Sequence, residues 1–316
     1  MFGRVLFFMQ LRSSILKVFA YFDLFNYPLS IEEVHYYLET TTEEYPVRKE
    51  IEILIKEGRL FRTGQYLSLR NDPALEERRN WGRTHADNLL LIANKGARFL
   101  FQFPFVRGIC ISGSLSKRCA DEKADIDYFI ITRADRLWIA RTLMHLFKKL
   151  TFLIGHQHRY CMNYYIDEKA LEIKEKNIFT ATELLTLMPA SGNGGLTRFF
   201  NANDWASAWY PQYHHRSRTA ATTPKSSLLK RCTEWLLDNR IGNYLDDYLR
   251  NLTARRWKIK EERGDLTMRG IKMSLQCAKH YSRPNPEHFQ QKVLNRYYGK
   301  VKELTATYPP ISSSKK

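Results

Sequence analysis

Residues 108–132 read GICISGSLSKRCADEKADIDYFIIT, and this stretch decides how the rest of the chain is interpreted. It begins as an apolar strand and breaks at Gly113-Ser114. It then returns as a second strand that carries Asp125 and Asp127. Residues i and i+2 of a strand point to the same face of a sheet, so we expect the two carboxylates to converge.

Two converging carboxylates with no Lys or Arg between them are costly unless a cation neutralises them. Mg²⁺, a hard cation with oxygen ligands, is the usual solution in proteins. The Gly-Ser break supplies what a triphosphate needs, because Gly113 lets the backbone approach a ligand and Ser114 offers a hydroxyl. Free N–H groups at the start of a following helix would also attract anions.

This arrangement resembles the DNA polymerase β-like nucleotidyltransferase superfamily. The signature of that superfamily is a strand, a Gly-Ser turn, a short spacer and Asp-apolar-Asp on the next strand. Here ten residues, 115–124, separate Ser114 from Asp125-Ile126-Asp127. The match is specific because the spacing and both flanking strands agree. The alternative is a Gly-Ser turn between two strands that carry surface aspartates.

The resemblance implies a metal-dependent nucleotidyltransferase that moves a nucleoside monophosphate from an NTP to a hydroxyl acceptor. Asp125 and Asp127 would hold two Mg²⁺ ions, or Mn²⁺. A basic C-terminal region favours a nucleic-acid acceptor, and protein or small-molecule acceptors stay open. The resemblance places the β- and γ-phosphates on Gly113 and Ser114. Lys117 and Arg118 either contact these phosphates or lie in solvent.

Active superfamily members usually carry a third carboxylate on the third strand of the core, predicted here over Cys161–Ile166. The matching position is Asn163. An amide oxygen can still coordinate a metal, but it cannot take a proton. Asp167, at the end of the strand, is either a substitute for this carboxylate or a turn cap. The departure supports an alternative function, a non-catalytic nucleotide- or nucleic-acid-binding regulatory protein on a degenerate nucleotidyltransferase fold.

The N-terminal stretch predicts three helices followed by a β-hairpin. Ser30 and Glu33 form a capping box, Pro46 suits the first turn of a helix, and Gly64 lies in a two-residue hairpin turn. The predicted helices cover residues 11–26, 30–38 and 46–58, and the predicted strands cover 59–63 and 66–70.

This order of elements resembles a winged helix-turn-helix domain, which we place at residues 1–72. Such domains often read DNA with the third helix. Positive and negative side chains nearly cancel along that helix, which favours a packing or partner-binding role over DNA reading. The charged residues are Arg48, Lys49, Lys56, Glu50, Glu52 and Glu57.

Residues 73–211 are predicted to form the nucleotidyltransferase core, a small mixed β-sheet flanked by helices. A charged helix to Asn80 and a separate helix over 89–100 would precede the first strand. The helix over 133–153 has a broad apolar face that would leave Arg136 and Arg141 exposed. His156 and His158 follow it and indicate a polar loop more than a metal site.

Residues 212–316 form the third predicted part, a basic helical region with 22 Lys and Arg against 9 Asp and Glu. The excess of positive charge indicates either an anionic partner or a solvated basic surface. A flexible linker is expected over 214–227, and residues 261–283 are expected to be partly helical. The whole chain is therefore predicted to be α+β.

Composition sets the remaining bounds. The chain has 316 residues, of which 44% are hydrophobic, so it can bury sizeable cores. Its five cysteines are scattered without a Cys-x-x-Cys pair. This favours a reducing, cytoplasmic location and argues against disulfides or a zinc site. Arg4, Arg12 and Lys17 interrupt the apolar N-terminus, which argues against a signal peptide or a membrane span.

Overall fold

The computed structural model describes residues 2–122, 124–153, 155, 157–192, 194–213, 222–266, 270 and 272–306. Within them the helices are α1 (Phe2–Asp23), α2 (Ile31–Tyr36), α3 (Glu44–Lys56), α4 (Ala74–Leu100), α5 (Gly113–Ser116), α6 (Leu137–Phe152), α7 (Ile178–Thr186), α8 (Gly194–Ala202), α9 (Leu228–Leu237), α10 (Arg240–Arg263) and α11 (Phe289–Thr305). The strands are β1 (Phe61–Thr63), β2 (Tyr66–Ser68), β3 (Val106–Ile111), β4 (Asp127–Thr132), β5 (Cys161–Asp167), β6 (Met188–Gly192), β7 (Met273–Cys277) and β8 (Tyr281–Pro286). Short 3₁₀ turns occupy Gln157–Arg159 and Asp204–Ala208.

Contacts group the chain into two compact units. The first, the N-terminal unit, comprises Met1–Trp81, Ala206–His214 and Gln290–Lys316. The second, the sheet unit, comprises Gly82–Trp205 and His215–Phe289. The three-part division predicted from composition stays a prediction. The mixed α+β class is confirmed.

The N-terminal unit contains the three predicted helices and the predicted hairpin. Its capping box is formed, because the Glu33 backbone N–H donates to Ser30 Oγ at 3.2 Å and the Ser30 N–H donates to Glu33 Oε2 at 3.0 Å. Strands β1 and β2 pair antiparallel around Gly64. The assignment to the winged-helix class remains a prediction.

A buried ion pair fastens the third helix of this unit. Glu50 of α3 is only 3% exposed and accepts from Arg12 Nε of α1 at 2.5 Å. Arg12 also donates to Glu57 Oε1 at 3.0 Å. Because Glu50 is buried against α1, this acidic residue of the near-neutral helix holds the fold together instead of facing a partner.

The sheet unit is built on one six-stranded sheet in the order β6-β3-β4-β5-β8-β7. The β4–β5 pair is parallel and the other neighbouring pairs are antiparallel. A parallel pair needs a crossover connection, which α6 supplies between β4 and β5. The central strands β3 and β4 read as nearly continuous apolar runs because both of their faces are covered.

Helices cover both faces of this sheet at its centre. Tyr128 of β4 points to one face, where its hydroxyl donates to the Ala93 carbonyl of α4 at 3.0 Å. Phe129, the next residue, points to the other face and packs against Phe199 of α8 with ring centroids 4.9 Å apart. Alternation along β4 therefore places α4 and α8 on opposite sides of the sheet.

Two sequence-based expectations about these elements are wrong, and a third holds only in part. Helix α4 runs without a break from Ala74 to Leu100, although two separate helices were expected. Arg136 and Arg141 are buried, with 4% and 7% exposure, where solvent was expected. The stretch 261–283, expected to be partly helical, is helical only to Arg263, where α10 ends, and then contains β7 and the start of β8, which extend the sheet.

One remaining point concerns predictions that fall outside the described residues, and the other concerns membrane-spanning helices. His156, most of the expected linker over 214–227 and the C-terminal tail lie outside the described residues. Among the helices that the structure describes, none combines the length and the apolar character that a membrane crossing requires.

Candidate active site

The turn between β3 and β4 brings the backbone directly against a carboxylate. Gly113 adopts φ +70°, and a Cβ added to it would lie 2.6 Å from Asp127 Oδ2. Two features therefore require glycine at this position: the left-handed backbone conformation and the close approach of the Asp127 carboxylate. Ser114 follows it and is exposed. Both residues belong to α5, which has only four residues, so the helix start expected to attract anions is no more than one turn.

Asp125 and Asp127 lie where the sequence places them, with one correction. Strand β4 begins at Asp127, so Asp125 precedes the strand. The backbone is nevertheless extended there, because Ile126 donates to the His158 carbonyl at 3.0 Å and accepts from Cys161 N–H at 3.0 Å. Ile126 is buried while both aspartates are half-buried, which places their carboxylates on the opposite face together.

The Asp127 carboxylate is electrostatically unfavourable when ionised without a cation. Burial, followed by the charge of the neighbouring Asp125, raises its pKa to about 7. Its Oδ1 accepts from Asn163 Nδ2 at 2.5 Å. A divalent cation would relieve this penalty, because it favours the ionised form. The site residues therefore fit a metal ion with oxygen ligands.

Asn163 reaches Asp127 because of an irregularity in β5. The register between β4 and β5 shifts between Tyr128 and Phe129, so that Asn163 is an extra residue without a partner. Bulges of this kind re-aim a side chain. The amide is oriented by Cys161 Sγ, which donates to Asn163 Oδ1 at 3.1 Å. Asn163 thus positions the Asp127 carboxylate and offers no site for a proton.

Asp167 is not a substitute for the missing third carboxylate, contrary to one expectation. It pairs with Thr132 at the far end of the strands, whereas Asp127 pairs with Cys161. Five residues of strand correspond to about 16 Å. Asp167 is fully buried and accepts from the backbone N–H groups of Asp135 and Lys169 at 3.0 and 2.9 Å. Through Lys169 it therefore caps the turn that follows β5, as its alternative interpretation proposed, and through Asp135 it also caps the turn after β4.

Both basic residues predicted beside the phosphates have partners within the protein. Lys117 Nζ donates to the Gly113 carbonyl at 3.2 Å and pairs with Glu183 Oε1 at 2.8 Å. Arg118 Nε donates to Asp87 Oδ1 of α4 at 2.8 Å. Lys117 therefore fastens the Gly113 turn to α7, and Arg118 fastens the next turn to α4.

Sequence reasoning missed three side chains at this site. His158 Nδ1 lies 2.5 Å from Asp125 Oδ1. Glu183 of α7 and Lys148 of α6 both act on the charge of Asp127, with opposite signs. His158 was interpreted as part of a polar loop, and neither Glu183 nor Lys148 shares a motif with the aspartates. Only the pairing of β4 with β5 and the packing of α6 and α7 bring them here.

A second group of metal-ligand type lies at the opposite end of β5. Asp135, Asp167 and His280 offer ligand atoms within 4.8 Å of one another. Lys169 Nζ lies 2.5 Å from Asp135 Oδ2, and Lys279 Nζ lies 3.8 Å from Asp135 Oδ1. Two ammonium groups therefore balance the two carboxylates, so this group needs no further cation for charge neutrality.

Comparison of the chain with protein-family models, with curated proteins and with solved structures finds no match.

Proposed function

We propose that the protein is a metal-dependent nucleotidyltransferase that uses the site at Gly113, Asp125 and Asp127. The observation that carries the proposal is the contact between the Gly113 backbone and the Asp127 carboxylate, with Asp125 beside it. This contact places a turn that would receive phosphates beside two carboxylates that would bind a metal ion. The resemblance in residues 108–132 supports the same reaction.

Asp125 and Asp127 would hold Mg²⁺, and two ions are expected. The metal would supply two things: a lowered pKa for the acceptor hydroxyl, and neutralisation of charge on the leaving pyrophosphate. Asn163 keeps the Asp127 carboxylate in one orientation through its 2.5 Å hydrogen bond. Positioning of this kind, with electrostatic stabilisation, supplies most of the catalysis in phosphoryl-group chemistry.

Ser114 and the Gly113 backbone would receive the β- and γ-phosphates. The absence of a side chain at Gly113 leaves room for the Asp127 carboxylate beside the turn, and Ser114 is exposed. Lys117 acts indirectly, because it holds the Gly113 carbonyl and Glu183 together at the turn. The acceptor hydroxyl releases its proton to solvent water and its oxygen bonds to the α-phosphorus. The bond from the α-phosphorus to the bridging oxygen of the β-phosphate breaks, and pyrophosphate leaves.

The acceptor is proposed to be a nucleic acid. The basic C-terminal third supports this choice, since phosphate backbones bind Lys and Arg. The NTP is the second partner, and Mn²⁺ could replace Mg²⁺ on the same ligands.

A non-catalytic regulatory protein is the second candidate. The observation that favours it is the amide at Asn163, which cannot take the proton of an acceptor hydroxyl. The ion pairs of Lys117 with Glu183 and of Arg118 with Asp87 favour it too, because they occupy the cations that would contact phosphates. This candidate would bind the nucleotide at the same turn without turnover.

A transfer assay separates the two candidates. Purified protein is incubated with each α-labelled NTP, with Mg²⁺ or Mn²⁺, and with cell RNA or protein as acceptor. Asp127→Asn removes one metal-ligand charge and keeps the shape of the side chain. Asp121→Asn is the matched control, because Asp121 is an exposed aspartate of the same connection. Label transfer lost only in Asp127→Asn supports the enzyme; nucleotide binding without transfer supports the regulatory protein.

A further inference from the structure

A cavity of about 240 Å³ lies in the sheet unit, between β5, β8 and the segment that follows β5. It contains neither Asp125 nor Asp127. Its walls are apolar and aromatic side chains together with several charged groups. The lining residues are Tyr164, Ile166, Ala170, Glu172, Ile173, Lys174, Glu175, Ala278, Lys279, His280, Tyr281 and Arg283.

The floor of the cavity is one face of two paired strands. Ile166 of β5 pairs with Tyr281 of β8, so the side chains of these two residues share a face. The Arg283 guanidinium lies 5.6 Å from the centre of the Tyr164 ring. Tyr164 is in turn stacked on Phe129 of β4, with ring centroids 4.9 Å apart. Packing on several sides therefore fixes an aromatic floor before any ligand arrives.

The carboxylates that line the cavity are already neutralised. Arg283 pairs with Glu175 Oε1 at 2.6 Å, and Lys176, outside the lining, pairs with Glu172 Oε1 at 2.7 Å. These pairs leave the remaining lining charges positive.

Lys174 and Lys279 carry the remaining positive charge of the lining. Lys174 is exposed. The nearest carboxylate oxygen to Lys279 is Asp135 Oδ1 at 3.8 Å, and Lys169 approaches the same carboxylate more closely, at 2.5 Å. A ligand that enters the cavity therefore meets an aromatic floor and two incompletely paired ammonium groups.

We propose that this cavity binds a small organic anion, a ring-bearing carboxylate or phosphate. Its volume is below the range of about 300 to 1,000 Å³ typical of drug-sized ligands, which limits the occupant to a single ring with an anionic group. The ring would lie against Tyr164 and Tyr281. The anionic group would lie at Lys174 and Lys279. The inference does not depend on nucleotidyl transfer.

The test uses the full chain with EDTA, so that metal binding at the aspartate pair plays no part. Benzoate, phenyl phosphate and inorganic phosphate are titrated separately and followed by saturation-transfer NMR and calorimetry. We expect benzoate or phenyl phosphate to bind, and the stronger of the two identifies the anionic group. Inorganic phosphate should bind at least about tenfold more weakly, because it cannot use the aromatic floor.

Two variants locate the binding. The double variant Lys174→Ala with Lys279→Ala should weaken binding by about tenfold or more, and Tyr281→Ala should weaken the ring probes but not inorganic phosphate. Lys258→Ala is the matched control, since Lys258 is an exposed lysine of α10 outside the cavity. The proposal is overturned if neither ring probe binds, if the double variant binds as well as wild type, or if inorganic phosphate binds as tightly as phenyl phosphate.

Discussion

Replacing Gly113 by alanine should damage the proposed site more than it damages the fold. The backbone at Gly113 has φ +70°, and a left-handed conformation costs an alanine about 1 to 2 kcal/mol relative to glycine. The added Cβ would also lie 2.6 Å from Asp127 Oδ2. That separation is shorter than van der Waals contact, so the Asp127 carboxylate must move by several tenths of an ångström.

Gly264→Ala separates the two effects. Gly264 ends α10 with φ +66°, and nothing lies within 4 Å of its added Cβ. It therefore carries the same backbone cost without the collision. Urea unfolding should show a loss of about 1 to 2 kcal/mol in the free energy of unfolding for both variants, and a further loss of up to about 1 kcal/mol for Gly113→Ala.

Activity should distinguish the two variants more sharply than stability. Displacement of a catalytic group by a fraction of an ångström to 1 Å can cost about 100-fold in rate. We expect Gly113→Ala to lose about 100-fold in label transfer and Gly264→Ala to keep wild-type transfer. Equal stability losses together with equal transfer rates in the two variants would refute the contact between the Gly113 backbone and Asp127 as the basis of the site.

Three further variants test the electrostatics. Burial lowers the pKa of Lys230 to about 8, below its unfolded value near 10.5. Because the unfolded state binds more protons between pH 8 and 10.5, the free energy of unfolding should rise with pH across that window. Lys230→Met should remove this slope in urea titrations. Burial raises the pKa of Asp246 to about 7, so the free energy of unfolding should fall by up to about 4 kcal/mol as pH rises from about 4 to 7. Asp246→Asn keeps an acceptor for the α6 backbone and should flatten this fall. Asn163→Asp places a third carboxylate 2.5 Å from Asp127, so thermal denaturation should show a lower Tm than wild type in EDTA and a larger Mg²⁺-induced rise in Tm; an unchanged Tm in both conditions would contradict the assigned contact.

The local part of the site could be predicted from sequence. The positions of Gly113, Asp125 and Asp127 follow from strand periodicity and a short connection, and these residues are close along the chain. The glycine requirement follows from the same turn. Residues within one hairpin-like connection constrain one another strongly, so their relative placement can be deduced without long-range contacts.

The rest of the site depends on long-range packing. Asn163 reaches Asp127 through a bulge, and the register of β5 against β4 cannot be read from either strand alone. Glu183 arrives on α7 and pairs with Lys117, although 66 positions separate them in the chain. His158 lies beside Asp125 because the 3₁₀ turn before β5 returns to the start of β4.

Charged residues were misplaced for a related reason. The apolar face of α6 suggested that Arg136 is exposed. The arginine is instead buried, because it donates from Nε to the Leu237 carbonyl at 3.1 Å and from Nη1 to Asn243 Oδ1 at 2.5 Å. Helical periodicity identifies the apolar face of a helix. It does not show that a second layer, formed by α9 and α10, covers the polar face of α6.

The amino-acid composition of their segment does not indicate the strands β7 and β8. Their segment is rich in basic and polar residues, and two of the six residues of β8 are prolines, which usually demote a strand. In the pairing that the structure describes, β5 meets β8 only at Tyr281 and Ser282, so Pro284 and Pro286 pair with β7 alone. Proline is tolerated where one side of a strand is open.

Manganese binding tests the central claim most directly. The bound Mn²⁺ is measured by electron paramagnetic resonance with and without a non-hydrolysable NTP, for wild type, Asp127→Asn, Asp121→Asn and Asp135→Asn. The account predicts nucleotide-dependent Mn²⁺ binding that is lost in Asp127→Asn and retained in the other two variants. Binding that survives Asp127→Asn, or that is lost in Asp135→Asn, would place the metal elsewhere and contradict the account.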